Sequence, residues 1–371
     1  SYTPSGQLDR AEYPDGREQW RKSDSVGNLY PDPDMKLRRF LDGGRMEQDG
    51  EWHSEYDADG NLKERYRGTG KWLDGKRERW RYRWNADGSL AKVVRPDKRE
   101  VEFTYDALGR RLSKAFGTTV TRWVWNGNVP LHQWRQRREY SVMENGWITA
   151  PERRDMTVWL FDEESFVPMA MLREGKAYSI LTDQLGTPTE AYDAEGNEVW
   201  SRVLDMDGNV IEEDGNVGMI PFLFQGQYYD RETGLAYNRF RYYDPKAGAY
   251  ISQDPIGLAG GILNLYGYVD DTNAWVDILG LSASYRRTKH VQNRHITRKK
   301  NTSASKYLKP KDRIKLENRT ISRYDTKIIQ PDGRIRYERD FGRKIGTDGE
   351  TKMRVIVDEK KNKIVTSFPE I

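Results

Sequence analysis

Along residues 1–225, polar and apolar positions alternate with a period of two and are interrupted at intervals by glycine. Arg79-Trp-Arg-Tyr-Arg-Trp84 places aromatic residues on one face of an extended chain and arginines on the other. An aromatic residue recurs with glycine four positions later and often leucine six positions later: Tyr2…Gly6…Leu8, Tyr56-Asp-Ala-Asp-Gly60-Asn-Leu62 and Trp84-Asn-Ala-Asp-Gly88-Ser-Leu90. Tyr105-Asp-Ala-Leu-Gly109 and Tyr192-Asp-Ala-Glu-Gly196 keep the first half. Each copy predicts a strand, a tight turn and a return strand, with Asp-Gly supplying the positive φ of the turn. Such a hairpin cannot bury its aromatic face alone, so the copies predict one continuous stacked sheet. From Asn126 to Glu174 the pattern fades and sets no register. The first residues, Ser1-Tyr-Thr-Pro-Ser-Gly, already lie within a repeat and read as part of a longer chain.

Taken alone, the pattern fits any β-solenoid or propeller. The repeats also resemble the tyrosine-aspartate (YD) repeats of Rhs proteins and of the C components of Tc toxin complexes, with Trp-Asn replacing Tyr-Asp in some copies. The resemblance implies a mainly β fold over residues 1–225, a YD-repeat shell in the form of a hollow β-cocoon.

A different vocabulary occupies residues 226–281. Tyr229-Asp-Arg-Glu-Thr-Gly-Leu is followed by Arg239-Phe-Arg-Tyr-Tyr-Asp-Pro, Ser252-Gln-Asp-Pro-Ile-Gly-Leu, Tyr266-Gly-Tyr-Val, Trp275-Val-Asp and Asp277-Ile-Leu-Gly-Leu281. These blocks resemble the Rhs core-associated segment, which plugs the shell ahead of a variable C-terminal toxin. The resemblance implies an aspartic-type autoprotease that cuts after the Leu of Asp-Pro-x-Gly-Leu, here between Leu281 and Ser282. Hydrolysis by paired carboxylates needs one protonated and one charged group close together. Asp254 is the first candidate and Asp230 the second, with Asp244 and Asp277 behind them. The competing role for all four is turn capping. Two positions depart from the family pattern. Ile278 stands where Pro is usual, and Gln253 where Arg is common.

Charge divides the chain at the same place. Residues 282–371 hold 25 Lys+Arg and 11 Asp+Glu, a net of +14, whereas residues 1–281 hold 37 and 47, a net of −10. That asymmetry points to two parts with different partners and to a polyanion for the basic one. The chain has no Cys, which removes thiolate zinc sites and disulfides. No apolar run of about 18 residues is present, and no stable membrane insertion is inferred.

Residues 282–371 predict a small α+β domain. Helices are expected in Ser284–Lys300 and Ser303–Glu317, and strands at Thr320–Ile329, Arg334–Arg339, Thr351–Val357 and Lys363–Phe368. His290 and His295 in Lys289-His-Val-Gln-Asn-Arg-His-Ile296 are five apart, unlike the zinc-protease helix spacing, and no cofactor or metal is implied. A base, an acid and cations suffice for metal-independent RNA cleavage by an internal 2′-hydroxyl. His290, Arg294, His295, Arg343 and Thr366 are the candidates. The run Arg336-Tyr-Glu-Arg-Asp-Phe-Gly-Arg343 and the ending Val365-Thr-Ser-Phe-Pro369 resemble the barnase–EndoU–colicin–RelE (BECR) toxin ribonucleases. Against this, either His could be a solvated surface residue, Arg343 could merely neutralise Asp340, and Thr366 could face solvent. Basic charge alone gives only nonspecific affinity for nucleic acid.

The combined reading is an Rhs interbacterial toxin whose shell cuts itself to release a ribonuclease. The resemblance implies a secreted effector of a type VI or similar system, handled by a secretion-system spike or chaperone and matched by a cognate immunity protein. The toxin would act on RNA in the target-cell cytoplasm. Three alternatives stay open. Asp340 and Glu359-x-Lys361 are similar to a metal-dependent DNase pattern, an ADP-ribosyltransferase would lack its usual Glu-x-Glu, and a non-enzymatic YD-repeat surface protein would not explain the charge change after Leu281.

Overall fold

The computed structural model describes residues 1–3, 7–13, 15–68, 78–163, 165–260, 263–281, 286–287, 320–321, 324–331, 334–342, 350–358 and 363–370. The chain divides into two compact units, Ser1–Ser282 and Ala283–Ile371.

In the first unit an antiparallel sheet runs from the strand Arg38–Leu41 to the strand Val210–Gly215 and closes into a barrel. The repeats build it as the alternation predicts. Within Arg79–Trp84, Tyr82 is buried while Arg81 and Arg83 are exposed. The turns show which residue the repeat depends on. Asp57 Oδ1 accepts the N–H groups of Asp59 (3.0 Å) and Asn61 (2.8 Å). Asp106 does the same for Leu108 and Arg110, and Asp193 for Glu195 and Asn197. Gly60, Gly109 and Gly196 then take positive φ. In these copies the working Asp is the one after the aromatic, whereas in Trp84–Leu90, where Asn85 takes that place, Asp87 before the glycine accepts the Ser89 N–H at 2.9 Å. The Asn197 side chain and these backbone donors hold the Asp193 carboxyl below its ordinary value.

Three further copies share the turn without an aromatic residue: Asp24 with Gly27, Asp183 with Gly186, and Asp205 with Gly208. The stretch without visible repeats is also sheet, through the strands Val129–Ser141, Gly146–Thr149, Arg154–Phe161 and Pro168–Arg173.

Residues after Val210–Gly215 form a separate antiparallel meander of Tyr228–Asp230, Leu235–Asn238, Arg241–Asp244 and Ala249–Tyr250. Tyr228, Tyr237, Tyr242 and Ile251 share one core with the barrel residues Leu90, Val101, Trp123, Trp159 and Trp200. Barrel arginines also grip the meander region through carbonyls. Arg38 Nη1 donates to Ala247 O (2.9 Å), Arg173 Nη2 to Met219 O (3.2 Å) and Arg202 Nη1 to Ile220 O (3.2 Å). Burial lowers the Arg202 guanidinium to about 10, against a weaker opposing pull from Glu213.

The second unit contains a five-stranded sheet in the order Arg286–Arg287, Lys363–Glu370, Lys352–Asp358, Ile335–Asp340, Thr326–Ile329. The first pair is parallel and the others antiparallel. Ile335, Tyr337, Met353, Val355 and Val357 form its core. Two expectations are corrected. Arg286–Arg287 is strand, not helix, because it pairs with Lys363 and Ile364. Thr320 and Ile321 are helical, and the following strand starts only at Thr326. The remainder of the expected helices, residues 284–300 and 303–317, lies outside the described residues, so the α+β reading rests on sequence.

Candidate active site

The strand Arg241–Asp244 is buried along its whole length, and each residue reaches a different partner. The Tyr242 hydroxyl lies 2.9 Å from that of Tyr105, Tyr243 donates to Asp207 O (2.8 Å), and Asp244 accepts from Arg65 Nη1 (2.7 Å). Three anchors to the barrel therefore hold the strand that carries Arg241.

Arg241 Nη2 lies 3.1 Å from Asp254 Oδ2 and 3.3 Å from Asp277 Oδ2, and the three side chains are 0, 3 and 4% exposed. One guanidinium nitrogen therefore serves two buried carboxylates, offsetting the repulsion that would otherwise separate them. Asp254 sits on a turn. Its Oδ1 accepts Ile256 N–H at 3.0 Å and its carbonyl accepts Gly257 N–H at 2.8 Å. Turn capping and carboxylate pairing are both roles of this residue.

Asp277 folds the following segment back on itself. Its Oδ1 accepts the N–H of Leu281 at 3.0 Å and of Leu279 at 3.4 Å, while Oδ2 accepts the Tyr250 hydroxyl at 2.9 Å. Phe240 N–H donates to Leu279 O (3.2 Å), Asn238 Nδ2 to Asp277 O (2.8 Å), and Arg241 Nε to Gly280 O. Gly280 has φ +69°, and a Cβ there would lie 2.5 Å from the Asn238 carbonyl oxygen. Only glycine lets the segment lie this close to the meander. The amide of the residue ahead of the expected cut is thus tied to one carboxylate of the pair. Ser282 lies outside the described residues.

Asp230 belongs to another cluster. Its Oδ1 accepts from Lys114 Nζ at 3.0 Å and from Arg111 Nη2 at 3.2 Å, and its Oδ2 from Arg111 Nη1 at 2.5 Å. Glu232 completes the cluster by accepting from Lys114 at 2.7 Å. The Arg111 guanidinium lies within 4.5 to 5.5 Å of the ring centres of Phe103, Trp123, Tyr228 and Tyr237. Burial opposes its charge most strongly, but Asp230 together with Tyr242 and Tyr105 more than reverses this, leaving Arg111 well above its ordinary range. Asp230 therefore joins meander to barrel, and Asp277 rather than Asp230 shares Arg241 with Asp254.

The two departures from the family pattern face elsewhere. Gln253 hydrogen-bonds the Tyr266 hydroxyl, which donates to Gly60 O in a repeat turn. Ile278 lies with its backbone against Gly226. Sequence reasoning passed over Arg241, Tyr250 and Asn238. The available signal was an arginine buried among tyrosines in Arg239-Phe-Arg-Tyr-Tyr-Asp-Pro.

In the second unit, His290, Arg294, His295 and Arg343 lie outside the described residues. Thr366 pairs in register with Ile356, whose other neighbour is Arg336. The next row joins Phe368, Arg354 and Glu338, and Arg354 Nε donates to Glu338 at 2.7 Å. Thr366 thus occupies a sheet position beside rows that carry arginines. The Gly342 N–H and the Thr351 hydroxyl hold the Asp340 carboxyl below its ordinary value.

A teneurin YD-shell family model matches residues 1–268. The chain belongs to this family, as a YD-repeat shell of the Rhs type. It is 34% identical over 306 residues to the double-stranded DNA deaminase toxin A of Burkholderia cenocepacia, covering 77% of this chain and 21% of that protein. It is 34% identical over 252 residues to the toxin protein Tse5 of Pseudomonas aeruginosa, covering 61% and 18%. The tRNA3(Ser)-specific nuclease WapA of Bacillus spizizenii is 25% identical over 223 residues, covering 59% and 8%. The chain thus spans about a fifth or less of the length of these relatives. Among the described residues, no helix is long and apolar enough to cross a membrane.

Proposed function

We propose that this chain is the closing end of a secreted toxin shell that hydrolyses its own Leu281–Ser282 bond and releases the basic C-terminal unit. The observation that carries the reading is the shared Arg241 Nη2 between Asp254 and Asp277, with Leu281 N–H on Asp277. In this reaction water adds to the Leu281 carbonyl carbon and the C–N bond to Ser282 breaks. One carboxyl takes a proton from the water, and the other supplies the proton that leaves with the Ser282 amine. Arg241 keeps the pair close through both steps. The chain, produced and purified, is expected to yield an N-terminal fragment whose intact mass ends at Leu281. A single species of 43.4 kDa after prolonged incubation would sink the reading.

The released unit acts in this reading as a metal-independent ribonuclease, with His290 and His295 as acid and base and Arg294, Arg343 and Thr366 around the phosphate. Support comes from its net charge of +14 and its two histidines. The relatives' names include a DNA deaminase and a tRNA nuclease, so a YD shell goes with more than one chemistry and the cargo must be judged by its own residues. An immunity protein in the producing cell, delivery by a type VI or similar machine and action in the target cytoplasm complete the proposal. Incubated with total RNA in EDTA, the released fragment is expected to cleave it. Activity that needs Mg²⁺ and consumes DNA would replace this reading with a metal-dependent DNase.

A further inference from the structure

We propose that Tyr250 and Asn238 are positioning residues of the self-cleavage site, acting as a relay that aims one hydrogen at Asp277. This rests on the self-cleavage reading and deepens it. The Tyr250 hydroxyl has two neighbours with opposite demands. Asn238 Nδ2 donates to it at 2.7 Å, and Asp277 Oδ2 accepts from it at 2.9 Å. Because the amide hydrogen occupies the lone-pair side of the oxygen, the phenolic hydrogen points to the carboxylate. Asn238 Nδ2 also donates to the Asp277 carbonyl at 2.8 Å, so one amide orients both the tyrosine and the backbone of the cut segment.

The ring does a second task. The Arg241 guanidinium lies 3.6 Å from the Tyr250 ring centre. That stacking fixes the plane of the cation that holds Asp254 and Asp277. Tyr250 itself is 3% exposed and Asn238 is 0% exposed, so water cannot take over either role. Burial, reinforced by Asp277 and opposed by Arg241, raises the phenol well above its ordinary range and keeps it a donor. The ionisable groups facing this assembly are Arg241, Asp254, Asp277, Tyr243 and Tyr268, the hydroxyl of the last accepting the Asp277 N–H at 3.3 Å.

The test is a pulse-chase of the full chain from cell-free synthesis, with cleavage followed on denaturing gels over a pH series. Tyr250→Phe keeps the ring and removes only the hydroxyl. Misaligned reacting groups cost up to about 100-fold, so a slowing of about 10- to 100-fold is expected. With Asp277 as the carboxylate that takes the proton from water, loss of a donor to it should also move the acidic limb of the rate profile to higher pH. Asn238→Ala, which leaves the phenol in place, should shift the limb in the same direction. Thermal unfolding of each variant shows whether the shell is intact. A folded Tyr250→Phe chain with the wild-type rate and profile overturns the relay and leaves self-cleavage standing. If Tyr250→Phe does not fold, Asn238→Ala decides by the same criterion. A wild-type chain that never cuts overturns both.

Discussion

Asp254→Asn and Asp277→Asn chains are each expected to stay in one piece, or to cut at least ~10²-fold more slowly, because each removes half of an acid–base pair. Arg241→Ala should have the same outcome for a different reason. Without the guanidinium that lies 3.1 and 3.3 Å from Asp254 and Asp277, the buried pair loses the cation that holds its two carboxyl groups together and compensates their charge. The informative control is Asp230→Asn. Asp230 pairs with Arg111 and Lys114, away from the Arg241 cluster, so a folded Asp230→Asn chain should still cut. Gel time courses of the four variants at one pH decide the matter. Normal cutting by Asp277→Asn together with loss in Asp230→Asn would restore the pairing of Asp254 with Asp230.

The largest loss of stability is expected from Arg111→Met. Arg111 and Asp230 are 1% and 0% exposed, and breaking such a pair from one side leaves a charge buried without its partner. The cost is about 3–5 kcal/mol, read from the denaturant midpoint of the Ser1–Ser282 unit. Lys114 remains beside Asp230 and limits the damage. Adding Asp230→Asn to Arg111→Met should recover part of the loss, since the uncompensated charge is then gone. A single substitution costing under about 1 kcal/mol would mean that this cluster does not hold the meander in the barrel.

Some of this architecture can be read residue by residue. Tyr56-Asp-Ala-Asp-Gly60 announces its turn because Asp57 accepts two nearby N–H groups and Gly60 takes positive φ, all within five residues. Copies anchored on the aromatic residue were visible, whereas Ser23-Asp24, Thr182-Asp183 and Leu204-Asp205 were not. The turn needs only the Asp and the Gly, while the aromatic residue serves the core. Val129–Ser141 escaped notice for the opposite reason: a long strand with little alternation is fixed by its neighbours rather than by its own pattern.

At the proposed cutting site the division is sharper. The amino-acid order alone puts the end of the plug segment at Leu281, through the change of charge and the Asp-x-x-Gly-Leu blocks. It singled out Asp254 as one carboxylate. Asp230 and Asp277 both stand in motifs, both are buried and both meet arginine, so composition and spacing do not separate them. Strand pairing separates them. Asp230 lies on the first strand of the meander and meets the barrel's Arg111, whereas Arg241 lies on the third strand and receives the returning segment Asp277–Leu281. Turn chemistry acts over a few residues and survives in a linear reading. The choice of which two carboxylates share one guanidinium spans 36 residues in the chain, from Arg241 to Asp277, and exists only once the meander is seated in the closed sheet.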